Sequence, residues 1–280
     1  MSFDNITIVI TSFKSDEKIK DCLNSINKNC KVLVIENSND ITFKKKIETE
    51  FSNTQCILTG SNLGYGAANN IGLKNVKTRY ALILNPDTLL ETSTINNFFN
   101  EIKNIKNFAI AGPHIQTSSN KYKKKFTDLN PMLTNNVKGF AMFLNLSEFK
   151  NIGFFDEKFF IYFEEIDLCK RLIKENKKIY LLPTVQVIHS GGQSHNLEIN
   201  EEMEFSRNWH WMWSTFYFHK KHKSYLIALI IVCPKLFSAV LKFILYSLTK
   251  NINKKKIYFY RCSGLINSII GKSSWYRPKV

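Results

Sequence analysis

Short apolar runs alternate with helical stretches through most of the chain, and this alternation constrains the fold more than any other feature. Strands that alternate with helices are typical of a doubly wound, mostly parallel sheet. The sequence therefore predicts an α/β fold. The predicted strands are Ile6–Ile10, Val32–Ile35, Cys56–Leu58, Tyr80–Leu84, Phe108–Ala111, Val137–Leu144, Ile179–Leu182 and Val185–His189; the helices are Asp16–Asn27, Gly64–Leu73, Ile95–Ile105 and Tyr162–Glu175.

Polar residues directly follow three of the predicted strands. They are Thr11-Ser12-Phe13, Glu36-Asn37-Ser38 and Asn85-Pro86-Asp87. Ligands of such sheets bind beyond the carboxyl ends of the strands. We therefore expect a ligand site at this edge.

Charge is distributed very unevenly along the sequence. From Arg207 onward the chain has 14 Lys and Arg residues and no Asp or Glu, whereas the part before it is nearly neutral. A cationic segment of this kind needs an anionic partner, either nucleic acid or an anionic membrane surface. A further basic stretch, Asn120–Lys125, is predicted to form a solvated surface turn, or alternatively a mobile lid or an acceptor contact.

The C-terminal part contains a long apolar run, Tyr225–Leu248, interrupted by Pro234, Lys235 and Lys242. This pattern predicts an amphipathic helix pair, kinked at the proline, that lies in a membrane interface. A buried helical hairpin with two snorkelling lysines is the alternative. We expect two domains, an α/β domain over residues 1–222 and an amphipathic, basic helical extension over 223–280.

The cysteine pattern and the N-terminus both indicate the cytoplasm. Six cysteines are widely spaced with no CxxC pair, which argues against a zinc site or a disulfide framework and suits a reducing compartment. The N-terminal residues lack the basic region of a cleavable signal.

Three clusters have residue types suited to chemistry, and each has an ordinary structural interpretation as well. Asp87 is placed to bind a divalent cation on a pyrophosphate, or to form a turn. Glu164, Glu165 and Asp167 include a candidate general base, or they cap a helix. His189, followed by two glycines, is a candidate metal ligand or a structural histidine.

A fourth segment, Asn62–Gly72, is rich in glycine, alanine and asparagine. It lacks the spacing of a dinucleotide-binding motif. It forms either a ligand-binding loop or a plain glycine-rich turn.

The order of these signals is more specific than any one of them. The chain contains VITSFKS, VLVIENSND, NLGYGAANNIGL, LILNPD, KGFAMFLN, GFFDEKFFIYFEEIDLCKR and VIHSGGQS in succession. Over about residues 5–220 it resembles a family 2 glycosyltransferase of the GT-A fold, from the rhamnosyltransferase-like bacterial branch.

The resemblance implies a role for each matching residue. Glu165 would be the catalytic base, with Glu164 before it as the alternative, and Asp87 and His189 would hold Mn²⁺ or Mg²⁺. The nucleotide-sugar would contact Thr11, Ser12, Phe13, Glu36, Asn62, Gly64, Asn69 and Asp87. The acceptor side would include Asp156, Glu157 and Asp167.

Two of these residues depart from the family pattern. Glu36 and Glu165 stand where the family usually has Asp. One extra methylene moves a carboxylate by roughly 1.5 Å, and a misplacement near 1 Å costs about 10²-fold in rate. Either the backbone compensates or Glu164 is the base.

The implied activity is inverting transfer from a nucleotide-sugar, with rhamnose on thymidine diphosphate as the family-guided donor. The acceptor would be a saccharide or a lipid-linked saccharide for cell-surface polysaccharide. We expect a peripheral location on the inner face of the cell membrane and no nucleic-acid partner. A nucleotidyltransferase and a non-enzymatic nucleic-acid-binding protein are the alternatives.

Overall fold

A computed structural model describes residues 2–103, 105–117, 128–189 and 199–279. The stretch Asn120–Lys125 and the glycines after His189 lie outside these residues. By their contacts the described residues form two compact units. The first contains the residues up to Phe155 together with Glu165 to His189, and the second contains Asp156–Glu164 and everything from Ile199 onward.

This division differs from the expected one at residue 222. The helix Asn200–His222 belongs to the second unit, because its buried aromatic residues pack against the last helix of the chain. A nine-residue segment, Asp156–Glu164, also belongs to the second unit although the sequence on both sides of it belongs to the first.

The first unit is built from nine strands and five helices within the described ranges. The strands are β1 Ile6–Ser12, β2 Lys31–Glu36, β3 Thr54–Leu58, β4 Tyr80–Leu84, β5 Thr88–Leu90, β6 Phe108–Thr117, β7 Met132–Leu133, β8 Ala141–Asn145 and β9 Lys178–His189. The helices are α1 Lys18–Ser25, α2 Ile41–Glu50, α3 Tyr65–Asn75, α4 Thr94–Ile102 and α5 Glu164–Lys174. The first residue of α5, Glu164, belongs to the second unit, and the rest of the helix belongs to the first.

All nine strands form one mixed sheet, in the order β3-β2-β1-β4-β8-β6-β9-β5, with β7 paired to β9. The first four strands of this order are parallel, so their carboxyl ends meet at one edge. Strand β8 runs antiparallel to both β4 and β6. The predicted α/β class is confirmed, and the parallel half contains the strands that precede the predicted site residues.

Both faces of the parallel half are buried, which explains why its strands read as continuous apolar runs. Side chains of a strand alternate between the two faces. In β1, Ile8 and Ile10 join a cluster with residues of α1, α2 and α4, whereas Val9 joins a second cluster with residues of α3 and α5. Gly72 of α3 lies so close to the sheet that a Cβ there would come within 2.4 Å of Val9.

Some predicted boundaries differ from the observed ones for identifiable reasons. The two strands expected around Pro183 are one strand, β9, whose pairing with β6 slips just there because proline has no N–H for the ladder. Residues 137–140, expected in a strand, precede β8 and approach the site instead. Helix α2 and strand β5 were not predicted.

The second unit has three long helices, α6 Asn200–His222, α7 Tyr225–Leu248 and α8 Ile252–Ile269. Helix α7 is continuous through Pro234, so the expected kinked pair is a single helix. Helices α6 and α8 approach each other backbone to backbone at Gly264, where a Cβ would lie 2.1 Å from the carbonyl oxygen of Trp209. Only glycine permits that approach.

The segment Asp156–Glu164 is fastened to the rest of the second unit by many contacts. Tyr217 and Lys221 donate hydrogen bonds of 2.9 and 2.7 Å to Oδ2 of Asp156. The hydroxyl of Ser214 donates to the carbonyl of Ile161, and Arg277 lies 4.0 Å over the ring of Phe160. This segment leads directly into α5.

Candidate active site

The ends of β1 and β2 bring Ser12 and Glu36 side by side. The two residues are direct partners in the parallel register, and the N–H of Asn37 donates to the carbonyl of Ser12 at 2.7 Å. Thr11 and Phe13 flank Ser12 and are half-buried. The sequence predicted this grouping from the strand ends, and the register explains it.

Glu36 is a buried acid, with only 2% of its surface exposed. Burial raises the pKa of its carboxyl group to about 7, although a 2.7 Å hydrogen bond from the Ser38 hydroxyl favours the charged form. Near neutral pH this side chain is therefore present both as a hydrogen-bond donor and as an acceptor.

Asn37 organises the loop before α3, a role that sequence reasoning missed. Its buried amide donates to Oδ1 of Asn62 and to the carbonyl of Gly64, and its own Oδ1 accepts the N–H of Leu63. Gly64 adopts φ of +88°, in the left-handed region that favours glycine, at the start of α3. The side chains of Asn37 and Asn62 thus together hold the conformation of this loop.

Asn69 and Asn70, adjacent in sequence, face different tasks. Asn70 exchanges two 2.9 Å hydrogen bonds with the backbone of Phe155 and so ties α3 to a distant loop. Asn69 donates to the carbonyl of Tyr65, while its buried Oδ1 accepts no hydrogen bond within the described residues. That oxygen is available to a ligand.

Asp87 and His189 come together because β5 and β9 are antiparallel partners. Thr88, the residue after Asp87, is paired with His189 in the register. Oδ1 of Asp87 lies 3.4 Å from Nε2 of His189. The unpredicted strand β5 is therefore what joins two residues that are about a hundred positions apart.

The Asp87 carboxylate is suited to binding a cation. It is 4% exposed, and within the described part of the chain neither oxygen accepts a hydrogen bond. A buried carboxylate without donors is costly unless a cation compensates its charge. Asp87 and His189 together would offer a divalent ion one carboxylate and one imidazole ligand. Among the described residues no three His, Cys, Asp or Glu side chains are grouped so that they could hold a metal ion, so water or substrate would complete such a site.

Glu165 is linked to the Asp87–His189 pair through residues 138–140. A Cβ built on Gly139 would lie 3.8 Å from the side chain of Glu165, and the neighbouring Phe140 ring stacks on the His189 ring at 4.5 Å. The hydroxyl of Tyr65, in the first turn of α3, donates to the carbonyl of Gly139. Glu165, His189 and the first turn of α3 thus adjoin one short segment of the first unit.

The carboxyl group of Glu165 has a raised pKa. Burial is the main cause, and the N–H groups of Glu165 and Ile166 together with the Lys138 ammonium partly oppose it. Its buried Oε2 accepts no hydrogen bond within the described ranges. A carboxyl group whose pKa is raised in this way is a stronger proton acceptor than an ordinary carboxylate, which suits a general base. Lys138 and Phe140 lie in the KGFAMFLN motif that contributes to the family resemblance, but the sequence predicts no role for either residue.

The other predicted acids occupy different surroundings. Asp167 is fully buried and paired at 2.9 Å with Arg171, which also donates to the carbonyls of Ile152 and Phe154. Asp156 is held by Lys221 and Tyr217; burial alone would raise the pKa of its carboxyl group, but these donors lower it below the ordinary value. Glu157 is exposed. Contacts of these acids with an acceptor stay predictions.

Glu164 is buried, and the division between the two units falls between it and Glu165. The two preceding residues, Tyr162 and Phe163, both have φ above +70°, which is unusual for aromatic residues. Such backbone strain is commonly stored next to functional groups.

The profile of Glycosyl transferase family 2 matches residues 7–169, more than half of the chain. The chain belongs to this family. It is therefore a glycosyltransferase, and the rhamnosyltransferase-like resemblance that the motifs predicted is confirmed.

Two relatives of this family 2 glycosyltransferase illustrate the likeness. The low-salt glycan biosynthesis hexosyltransferase Agl10 of Haloferax volcanii is 27% identical over 210 residues, covering 67% of each chain. Rhamnosyltransferase WbbL of Escherichia coli K12 is 24% identical over 220 residues, covering 66% of this chain and 83% of the relative.

The fold of this glycosyltransferase is also found in a solved structure. The mannosyltransferase PcManGT from Pyrobaculum calidifontis, in complex with GDP-Man and Mn²⁺, superimposes with a TM-score of 0.59 at 9% identity. The match covers 95% of this chain and 87% of that one. The predicted GT-A fold with a C-terminal helical region is confirmed.

Proposed function

We propose that this glycosyltransferase transfers a sugar from a nucleotide-sugar to a saccharide or lipid-linked saccharide acceptor with inversion at the anomeric carbon, in a metal-dependent reaction. The proposed donor is rhamnose carried on thymidine diphosphate, and the proposed pathway is cell-surface polysaccharide synthesis. The name of the WbbL relative supports rhamnose, whereas the name of Agl10 indicates a hexose.

The observation that carries the proposal is that Glu165 and the Asp87–His189 pair lie against adjacent residues of one short segment, Glu165 beside Gly139 and His189 beside Phe140. The two groups serve opposite ends of one displacement. The acceptor hydroxyl forms a bond to the anomeric carbon, the bond from that carbon to the diphosphate oxygen breaks, and the hydroxyl proton goes to Glu165. We propose Glu165 rather than Glu164 as the base because Glu165 lies in the same unit as Asp87 and His189.

Asp87 and His189 would hold the divalent ion. An ion there, Mn²⁺ or Mg²⁺, would supply positive charge for the departing diphosphate. Thr11, Ser12, Phe13 and Glu36 would bind the nucleoside at the adjoining strand ends. The unpartnered oxygen of Asn69 would accept a hydrogen bond from the donor.

The second unit supports a peripheral location on an anionic membrane surface. Helix α7 is long and apolar enough to cross a membrane, with a mean hydropathy of 2.2 and 17% of that stretch buried. The 14 basic residues from Arg207 onward fit the inner, anionic face of a cell membrane. We propose that α7 lies along this surface.

A donor screen with the full chain tests the activity. With the right donor and acceptor we expect release of nucleoside diphosphate that EDTA abolishes and Mn²⁺ or Mg²⁺ restores. Glu165→Gln should lower kcat by about 10²–10⁴-fold, the usual contribution of a general base. Asp87→Ala should abolish stimulation by metal.

Glu164→Gln is the matched control, since it removes one carboxylate from the neighbouring position. If Glu164→Gln shows the large loss in kcat and Glu165→Gln keeps a nearly normal kcat, Glu164 is the base. Release of pyrophosphate instead of nucleoside diphosphate would indicate a nucleotidyltransferase and refute the proposal.

A further inference from the structure

A basic groove lies between α7 and α8 in the second unit, outside the candidate active site. Its volume is about 250 Å³. It is lined by Pro234, Lys235, Ser238, Ala239, Lys242, Tyr258 and Arg261. Three of these seven residues are cationic.

Two of the three cations of the groove lie over one aromatic ring. Nζ of Lys242 is 5.4 Å and Cζ of Arg261 is 5.6 Å from the centre of the Tyr258 ring. Lys235, Lys242 and Arg261 form no ion pair within the described residues. Three cations that line one groove without an ion-pair partner favour an anion.

The surroundings of the groove identify the kind of anion. Ala228, Val232 and Ala239 face the other helices, and the opposite side of α7 is apolar and exposed. Leu226, Ile230 and Leu248 are 70%, 72% and 77% exposed. At 100° per residue, Lys235, Ser238 and Lys242 fall on the flank between the buried stripe and this exposed apolar face. A ligand that matches both is an amphiphile with a phosphate head and hydrocarbon chains.

We propose that this groove binds the phosphate of an anionic membrane phospholipid, with the exposed apolar face of α7 in the adjoining acyl region. Arg261 and the two lysines bind the phosphate oxygens, and Ser238 is placed to donate a further hydrogen bond. The inference rests on the proposed membrane location and adds to it a defined headgroup site.

The test compares vesicle binding of the full chain with that of Lys235→Gln/Lys242→Gln/Arg261→Gln. The probes are vesicles of phosphatidylcholine alone and vesicles with phosphatidylglycerol. We expect the triple variant to bind phosphatidylglycerol vesicles at least about tenfold more weakly, since each basic residue at an anionic surface contributes measurably to binding. Its nucleoside diphosphate release with a soluble acceptor should be unchanged.

Lys223→Gln/Lys250→Gln/Lys272→Gln is the matched control, since it removes the same charge from exposed positions of the same unit outside the groove. Equal loss in both triple variants would show general electrostatic attraction and overturn the site. The site would also be overturned if the full chain bound phosphatidylcholine vesicles as strongly as phosphatidylglycerol vesicles. The same holds if inorganic phosphate raised the Tm of the full chain but not of the groove variant, while the full chain bound no vesicles. Binding to RNA that the groove variant loses, in place of vesicle binding, would overturn it as well. Normal vesicle binding with no transferase activity would overturn the proposed reaction instead.

Discussion

At the scale of single residues, the two departures from the family pattern have a common physical feature. Glu36 is buried and Glu165 is half-buried, and burial raises the pKa of both carboxyl groups. The same effect has different consequences at the two positions, because one is proposed to bind the nucleoside and the other to accept a proton.

Removal of the Lys138 charge should move the acid limb of the kcat profile to higher pH. The ammonium group lowers the pKa of Glu165, so Lys138→Gln raises it further and leaves less of the active, deprotonated base at a given pH. The measurement is kcat between pH 5 and 9. Lys150→Gln, at another exposed position, is the control and should leave the limb in place. An unchanged limb in Lys138→Gln would show that Glu165 does not set it.

Glu36→Gln should stabilise the protein above pH 7 and not below pH 5. The folded-state pKa is about 7, above the ordinary value of 4.5, so the folded protein holds this proton more tightly than the unfolded chain. The stability that Glu36 contributes when protonated is therefore full below about pH 4.5 and is lost as the pH rises through 7.

Glutamine carries no charge at any pH, so it avoids this loss, which amounts to about 3 kcal/mol at most. Urea unfolding at pH 5 and pH 8, without donor, measures the difference. Glu91→Gln, at an exposed position, should show no comparable change between the two values. If the difference in unfolding free energy between the wild type and Glu36→Gln is the same at pH 5 and pH 8, the result contradicts a raised pKa of Glu36 in the folded protein.

At the scale of elements, the turn before α5 connects the second unit to the proposed base. Tyr162 and Phe163, both in the left-handed region, are held by the Trp211 ring at 5.3 and 5.4 Å. Each such residue costs on the order of 1–3 kcal/mol and persists only when its surroundings hold it. Trp211 of α6 therefore supports the two residues that directly precede α5 in the chain.

Trp211→Ala should lower kcat by about 10- to 100-fold with little change in Tm. Trp211 is 43% exposed, so its loss weakens the turn more than it weakens the core. A shift of the following glutamates by about 1 Å accounts for that loss of rate. The donor KM should stay nearly constant, since the nucleoside site lies at other elements.

Trp275→Ala is the control, because this tryptophan is similarly exposed, at 53%, and has no ring contact with the turn. A wild-type kcat in Trp211→Ala would show that the turn does not depend on this contact. A large fall in Tm would instead give Trp211 a mainly structural role.

At the scale of the whole molecule, the exposed face of α7 can be altered without removing the unit that contains it. Ile230→Gln/Leu241→Gln/Leu248→Gln should fold normally and lose at least tenfold in vesicle binding, since burial of each such side chain is worth roughly 1.5–3 kcal/mol. Cosedimentation with phosphatidylglycerol vesicles measures this. Ile41→Gln/Leu129→Gln/Leu133→Gln, at exposed apolar positions of the first unit, should bind as the wild type does.

Truncation after residue 222 is a poorer test of the same idea. It removes α8 from α6, where Trp209 and Phe216 are fully buried, so we expect aggregation. Undiminished vesicle binding by the α7 variant would contradict a role of that face in docking.

The sequence by itself determined the α/β class, the strand ends that present Ser12, Glu36 and Asp87, and the family. Apolar runs with a regular period, and the polar residues that follow them, are local signals. They can be recognised without knowing how the strands pair. It did not determine the pairing of Asp87 with His189, which depends on the short strand β5. Nor did it determine that Glu165 lies beside Gly139 while His189 stacks on the neighbouring Phe140.

The tertiary structure alone decided these contacts because they join residues far apart in sequence, whose approach depends on strand order and register. It also decided that α6 belongs with α7 and α8, since its aromatic residues are buried by a helix that follows some thirty residues later. A buried aromatic cluster and an interfacial one have the same composition, and only the packing of neighbouring helices distinguishes them.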